Sequence, residues 1–299
     1  MDFQFKKKAG RSLLPGPGVA VIGSTTLDDV WISGRHMVKM GGVTTYAGLT
    51  YAQSGIPTRV VTRVSGNDTW MMKRLHTEGI LPFYEKDDAT TCFIHFVEGN
   101  TRRQEIRSRA RPIPEDAVIA AAKGVHTLHL GPLHPMDIDP RVIGNLNRDL
   151  FFIVLDLQGY LRQIDGTGVR PGVSPVLADA LRVARIIKGD REEMALTLDV
   201  FGFKMEGLLS KFQIEEAVVT EGYKGGWVQR YGGEPHHFKG EPIPNPWDPT
   251  GAGDVFFATY VIQRRFKGLD IPAAAAVAAE TAARQVAGDH IPRETLSPG

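Results

Sequence analysis

The stretch Pro244-Asn245-Pro246-Trp247-Asp248-Pro249-Thr250-Gly251-Ala252-Gly253-Asp254 runs into Val255-Phe256-Phe257-Ala258-Thr259-Tyr260-Val261-Ile262, which reads as a buried helix. Two glycines and an alanine at a helix mouth leave backbone N–H groups bare. With the helix dipole, those groups form a pocket for negative charge. Asp254 sits one residue past the pocket, where a carboxylate meets a hydroxyl attacking phosphorus. An anion hole beside a carboxylate is the equipment of phosphoryl transfer.

Outward from this stretch, short apolar runs recur at Val19–Gly23, Arg59–Val64, Thr127–Leu130, Phe151–Leu155, Arg185–Ile187 and Glu216–Thr220. Helical segments fall between them, at Thr44–Ser54, Asp68–Glu78, Asp116–Lys123, Pro140–Arg148, Pro175–Arg182 and Phe203–Lys211. Two long helices, Ala252–Phe266 and Pro272–Ala287, end the chain. Strand and helix alternating at this spacing predict an α/β fold with a doubly wound, mostly parallel sheet. Val30–Ser33 and the pair Thr91–Val97 and Arg102–Arg107 break the alternation. Glu98-Gly99-Asn100 suits a hairpin turn between the second pair. Trp227–Tyr231 and His236–Phe238 read as a further hairpin.

Composition bounds the function. The 299 residues are 42% hydrophobic and 23% charged, with 35 basic against 34 acidic residues for a net charge of +1. Neither a nucleic acid nor an anionic membrane is expected as partner. Cys92 is the single cysteine, so an intrachain disulfide and a Cys-based metal cage are excluded, and a reducing cytoplasm is the simplest home. No run approaches the ~20 apolar residues of a membrane span. Residues 1–18 carry Lys6-Lys7-Lys8 and Arg11 without the apolar core of a signal peptide, and read as a loose tail before a single domain over 19–299. The sequence lacks a G-x-x-x-x-G-K-[ST] loop, a G-x-S-x-G elbow and a G-x-G-x-x-G opening the first βα turn, which argues against P-loop, hydrolase and dinucleotide chemistry.

Asp248–Asp254 resembles the signature D-[TP]-T-G-A-G-D of the ribokinase (PfkB) family of carbohydrate kinases. The resemblance implies an ATP- and Mg²⁺-dependent kinase acting on a hydroxyl of a sugar, polyol or nucleoside. Asp254 would be its base, kept ionised at the helix mouth, and the N–H groups of Gly251, Ala252 and Gly253 its anion hole. It implies a small β lid from the inserted strands near 29–35 and 90–108, where an edge hairpin of the main sheet is the alternative. It also allows a monovalent cation and a homodimer through the lid strands. A regulator on the same scaffold that binds ligand without catalysis is the reading from another class.

Other segments extend the resemblance. Gly23–Asp29 is similar to the family's early substrate loop, with Asp28 as the matching residue and Asp29 its competitor. Gly41-Gly42-Val43-Thr44-Thr45-Tyr46 resembles the di-glycine motif but lacks the Lys and Asn that hold ribose. Thr44 and Tyr46 are expected to serve a bulkier or cyclic polyol instead. Asp156-Leu157-Gln158-Gly159-Tyr160-Leu161-Arg162 looks like a segment of inositol-kinase-like members, with at most one of Asp156 and Gln158 facing ligand and Arg162 long enough to reach it. His134 either reaches substrate or is structural. Lys188–Glu193 resembles the N-x-x-E element, with Asp190 in place of Asn and Glu193 acting on Mg²⁺ through water. The same residues form a capping-box pattern. Thr220, Gly222 and Gly225 match the family's T-x-G-x-x-G element, which with Thr250 and Lys188 would hold nucleotide phosphates, while Pro272–Ala287 walls in the adenine.

Overall fold

The computed structural model describes residues 18–32, 34–98, 101–243 and 246–298. The tail over 1–17, Ser33, the turn at Gly99-Asn100, and Pro244-Asn245 lie outside the described residues. In chain order the strands are β1 (Val19–Gly23), β2 (Thr26–Ile32), β3 (Arg35–Gly41), β4 (Thr58–Ser65), β5 (Ile80–Asp87), β6 (Cys92–Glu98), β7 (Thr101–Ser108), β8 (Thr127–Gly131), β9 (Phe152–Asp156), β10 (Arg162–Asp165), β11 (Gly168–Pro171), β12 (Ile186–Asp190), β13 (Glu216–Thr220), β14 (Gly225–Arg230) and β15 (His236–Lys239). The helices are α1 (Val43–Gln53), α2 (Trp70–Thr77), α3 (Glu115–Ala122), α4 (Pro140–Asn145), α5 (Leu177–Val183), α6 (Arg191–Phe201), α7 (Met205–Phe212), α8 (Ala252–Val261), α9 (Ile271–Ala287) and α10 (Arg293–Leu296).

One sheet runs β15-β14-β13-β12-β9-β8-β1-β4-β5, parallel from β13 to β5, with β14 and β15 antiparallel at one edge. Its period of two divides the core. Ala20 and Ile22 of β1 face the cluster built with α3 to α7, while Val19 and Val21 face the cluster with α1, α2, α8 and α9. Helices therefore cover both faces, which is why β1 is wholly buried and wholly apolar or glycine. β5 was not legible because Pro82 interrupts its run. An edge strand tolerates a missing N–H, and β5 is the edge.

The inserted strands form a second sheet, β10-β11-β7-β6-β2-β3. It is larger than the sequence indicated, because β3, β10 and β11 join the two expected interruptions. β2 and β6 pair in parallel and the other neighbours are antiparallel. Each pair, β2–β3, β6–β7 and β10–β11, follows a strand of the first sheet, so all three arise at its carboxyl end. That is the end at which open parallel sheets bind ligands. The segment Thr26–Asp29, expected as a loop, is the start of β2, where Asp28 lies opposite Lys39 of β3. α8 ends at Val261 and a π-helical turn, Ile262–Phe266, completes the run expected as one helix.

Candidate active site

The carboxyl ends of β1, β8, β9, β12 and β13 and the mouth of α8 surround a cavity of about 1010 Å³ that also takes walls from the second sheet. Asp28, His95 and Gln104 stand at its second-sheet end, with Arg35 and Phe93. Asp254, Gly251, Ala252, Gly253, Lys188 and Arg162 line its middle. Thr220, Gly222, Gly225 and Thr250 line the other end, beside a slot walled by Phe238, Phe256, Ala279, Ala282, Ala283 and Val286. The small side chains of α9 leave room there for a flat ring.

The mouth of α8 is shaped by Asp248 and Gly251. Asp248 Oδ1 accepts the Thr250 N–H at 2.9 Å, an Asx turn that carries the chain into the helix. Gly251 has φ +79°, and a Cβ there would lie 2.3 Å from the Tyr46 ring, so only glycine fits. The expectation of three bare amides needs correction. The Ala252 N–H turns back to the Pro249 carbonyl at 3.3 Å. Gly251, Gly253 and Asp254 are left as the amides of the motif that have no partner among the described residues.

Asp254 departs from expectation in charge. Loss of surrounding water, reinforced by Asp156, pushes its pKa up to about 7 against the pull of Lys188 and Arg162. The helix mouth alone would have kept it ionised; the protein packed around the carboxyl was not legible in the sequence. Behind it, buried Lys188 donates to Asp156 Oδ2 at 2.9 Å. Burial opposes the Lys188 charge, but Asp156, Glu193 and Asp254 outweigh it and hold the ammonium above its usual pKa. β9 ends at Asp156, so Gln158 lies on a 3₁₀ turn and lines the cavity, while Asp156 serves Lys188. Arg162 lines the cavity, with Nη1 on the Leu133 carbonyl at 3.0 Å.

At the second-sheet end, Asp28 is buried and its Oδ2 lies 3.5 Å from His95 Nε2, while Oδ1 has no hydrogen-bond partner among the described residues. The competitor Asp29, on the opposite face of β2, is taken by His36 and Arg107 at 2.7 Å each. Gly41 is not part of the lining; a Cβ there would strike Asp28 Oδ2 at 2.1 Å, so this glycine makes room for the carboxylate. Gly42 and Tyr46 line the cavity. Thr44 does not: its hydroxyl bonds Thr25 Oγ1 at 2.6 Å and the Ser24 carbonyl at 3.0 Å. His134 is buried beside Asp137 and is likewise not part of the lining, and burial pushes its pKa down. His129 is a core residue touching Tyr51 OH at 3.1 Å.

Away from the second sheet, Asp190 lines the cavity and caps α6. Its Oδ1 accepts from the Glu193 N–H and Glu193 Oε2 accepts from the Asp190 N–H, both at 2.8 Å. Glu193 is thereby committed to the capping box, and burial raises its pKa to about 7. Among the described residues no group of three His, Cys, Asp or Glu is placed to hold a metal ion.

Sequence reasoning missed Lys39 and His95. Each is a lone ionisable residue within an apolar strand run, Met37-Val38-Lys39-Met40 and Phe93-Ile94-His95-Phe96, and that pattern was the available signal.

The pfkB family carbohydrate kinase model matches residues 162–289. No curated protein matches the chain. Among solved structures, a pyrophosphate-dependent kinase in the ribokinase family, complexed with a pyrophosphate analog and myo-inositol, is 20% identical, with 90% of this chain and 94% of that one covered at TM-score 0.76. A nucleoside kinase from Methanocaldococcus jannaschii is 15% identical, with 95% and 96% covered at TM-score 0.69. A ribokinase from Thermotoga maritima is 20% identical, with 93% and 97% covered at TM-score 0.66. The family match contains the Asp248–Asp254 stretch, and the fold around it is ribokinase-like.

Proposed function

We propose that this protein transfers the γ-phosphoryl group of ATP to a hydroxyl of a cyclic polyol or sugar, an inositol-like acceptor fitting best. The supporting observation is the order of groups along one cavity. A buried carboxylate with an open acceptor atom, Asp28, stands at one end, the base Asp254 and the helix mouth in the middle, and an apolar slot at the other end. Polar groups at the acceptor end, Asp28, His95, Gln104 and Arg35, suit several hydroxyls better than the flat face of a nucleobase. The slot between Phe238, Phe256 and α9 suits a purine, which favours ATP over a donor without a base.

In the reaction, the acceptor oxygen bonds the γ-phosphorus as its proton passes to Asp254. The bond from that phosphorus to the β–γ bridging oxygen breaks, and its electron pair leaves with ADP. The Gly251 and Gly253 amides and Lys188 face the charge on the moving group. Mg²⁺, when bound with the nucleotide, would neutralise the phosphate oxygens. Asp190 and, through water, Glu193 are the groups that would hold it, and the commitment of Glu193 to the helix cap fits an indirect role. The second sheet, acting as a lid, would exclude water from the reacting centre. We place the enzyme in the cytoplasm, as a monomer or a dimer through the second sheet.

The test is ADP release from MgATP over a panel of inositols, sugars and nucleosides, with Asp254→Asn as the blank and pyrophosphate as alternative donor. An inositol or sugar giving Asp254-dependent turnover is the expected result. Turnover of nucleosides alone, or with pyrophosphate alone, replaces the acceptor or donor assignment. Silence across the panel with ATP still bound favours a non-catalytic sensor.

A further inference from the structure

Asp248 shapes the anion hole, yet it is a carboxylate buried to 5% exposure and needs a compensating charge. The charge comes from the second sheet. Lys39 of β3, itself 5% exposed, donates its ammonium to Asp248 Oδ2 and to the Tyr46 hydroxyl, the latter at 2.7 Å. Tyr46 is the residue whose ring closes over Gly251. The same strand touches the signature stretch again through Arg35, whose guanidinium lies 4.3 Å from the centre of the Trp247 ring, with Arg293 3.6 Å away. One edge strand thus grips Asp248, the first residue of the signature, and Trp247 just before it. Asp28 lies opposite Lys39 in the β2–β3 register. Burial works against the Lys39 charge, but Tyr46 and Asp248 together hold it above the usual lysine value, and Asp248 is held below the usual carboxylate value.

We propose that Lys39 is a positioning residue for phosphoryl transfer. Its ammonium holds Asp248, and through Asp248 the Thr250–Gly253 turn, so the chain supplies from its own sequence the positive charge that a bound monovalent cation would otherwise bring to this carboxylate. The inference rests on the kinase reading of the cavity. It makes turnover indifferent to the monovalent salt, and it ties the anion hole to the seating of β3.

The experiment measures turnover of MgATP with myo-inositol, or with whichever panel compound turns over, in tetramethylammonium, sodium, potassium and ammonium salts. Wild type, Lys39→Met, Asp248→Asn and the double variant are compared. Wild-type kcat is expected to stay within about twofold across the salts. Lys39→Met should lose roughly 10²-fold in kcat while the acceptor KM moves less than about threefold, and potassium or ammonium should recover about tenfold. Removing the stranded charge should make the double variant at least about tenfold faster than Lys39→Met, a comparison that stands even if Lys39→Met is poorly folded. A wild type that requires added potassium, a Lys39→Met with normal kcat, or a double variant no better than the single overturns the inference. A wild type silent with every acceptor counts against the kinase reading instead. A thermal-unfolding cycle of the four proteins then still reads the pair, and strictly additive shifts overturn it.

Discussion

In the proposed reaction Asp254 is the base, and its surroundings tune it for that role. A carboxyl raised to about 7 is a better base than one at its ordinary value, and it is half ionised near neutrality. Only the ionised form accepts the hydroxyl proton, so kcat/KM should rise with pH through about 7 and level off above it. A pH–rate profile checks this. Glu193 has a pKa in the same range, so the limb should persist in Glu193→Gln if Asp254 is its source. Asp254→Asn should lose on the order of 10²–10⁴-fold in turnover with its fold intact. Stability has the opposite sign. The folded pKa lies above the ordinary carboxyl value, so the contribution of Asp254 to stability is complete below that value and is lost as pH climbs through about 7. Thermal unfolding of wild type against Asp254→Asn between pH 4 and 8 should show the wild type losing ground as pH rises.

At the scale of elements, two helix starts serve folding and, in the proposed reaction, function as well, and substitutions can separate the roles. Gly251→Ala forces a left-handed φ and a clash with Tyr46, so it should destabilise by about 1–3 kcal/mol in denaturant unfolding and lower kcat as the turn shifts. Asp190 caps α6. Asp190→Ala should cost about 1 kcal/mol, whereas Asp190→Ser should keep most of that stability. If Asp190 also serves Mg²⁺, the serine variant alone exposes it, as a stable protein that needs more Mg²⁺ for half-maximal turnover. The sequence announced both elements, because the D-P-T-G-A-G-D and Asp-x-x-Glu patterns are local. It missed β3 and β5, edge strands whose charged or proline residues break the apolar pattern of a strand.

Over the whole molecule, the second sheet supplies one wall of the proposed acceptor end and the first supplies the proposed donor end. A change confined to the second sheet should therefore act on one substrate. His95→Ala should raise the acceptor KM by roughly tenfold and leave the ATP KM unchanged, since it removes one polar partner beside Asp28 and nothing near the slot. Equal effects on both constants in steady-state kinetics would remove His95 from the acceptor end. Its role was not legible in Phe93–Val97, where its neighbours are apolar and Asp28 lies 67 residues earlier in the chain.

The sequence by itself determined the doubly wound sheet and the helix mouth at Gly251–Asp254, because strand–helix alternation and glycine-bearing turns are written in residues close along the chain. Only the tertiary structure decided which carboxylates are free and which are spent. Asp28 keeps an open oxygen, Asp29 and Asp248 are paired, Asp156 holds Lys188 and Glu193 holds a cap. Charge compensation and loss of water act through space between strands far apart in sequence. They set the pKa of Asp254 and brought Lys39 to the signature, and no local pattern encodes either.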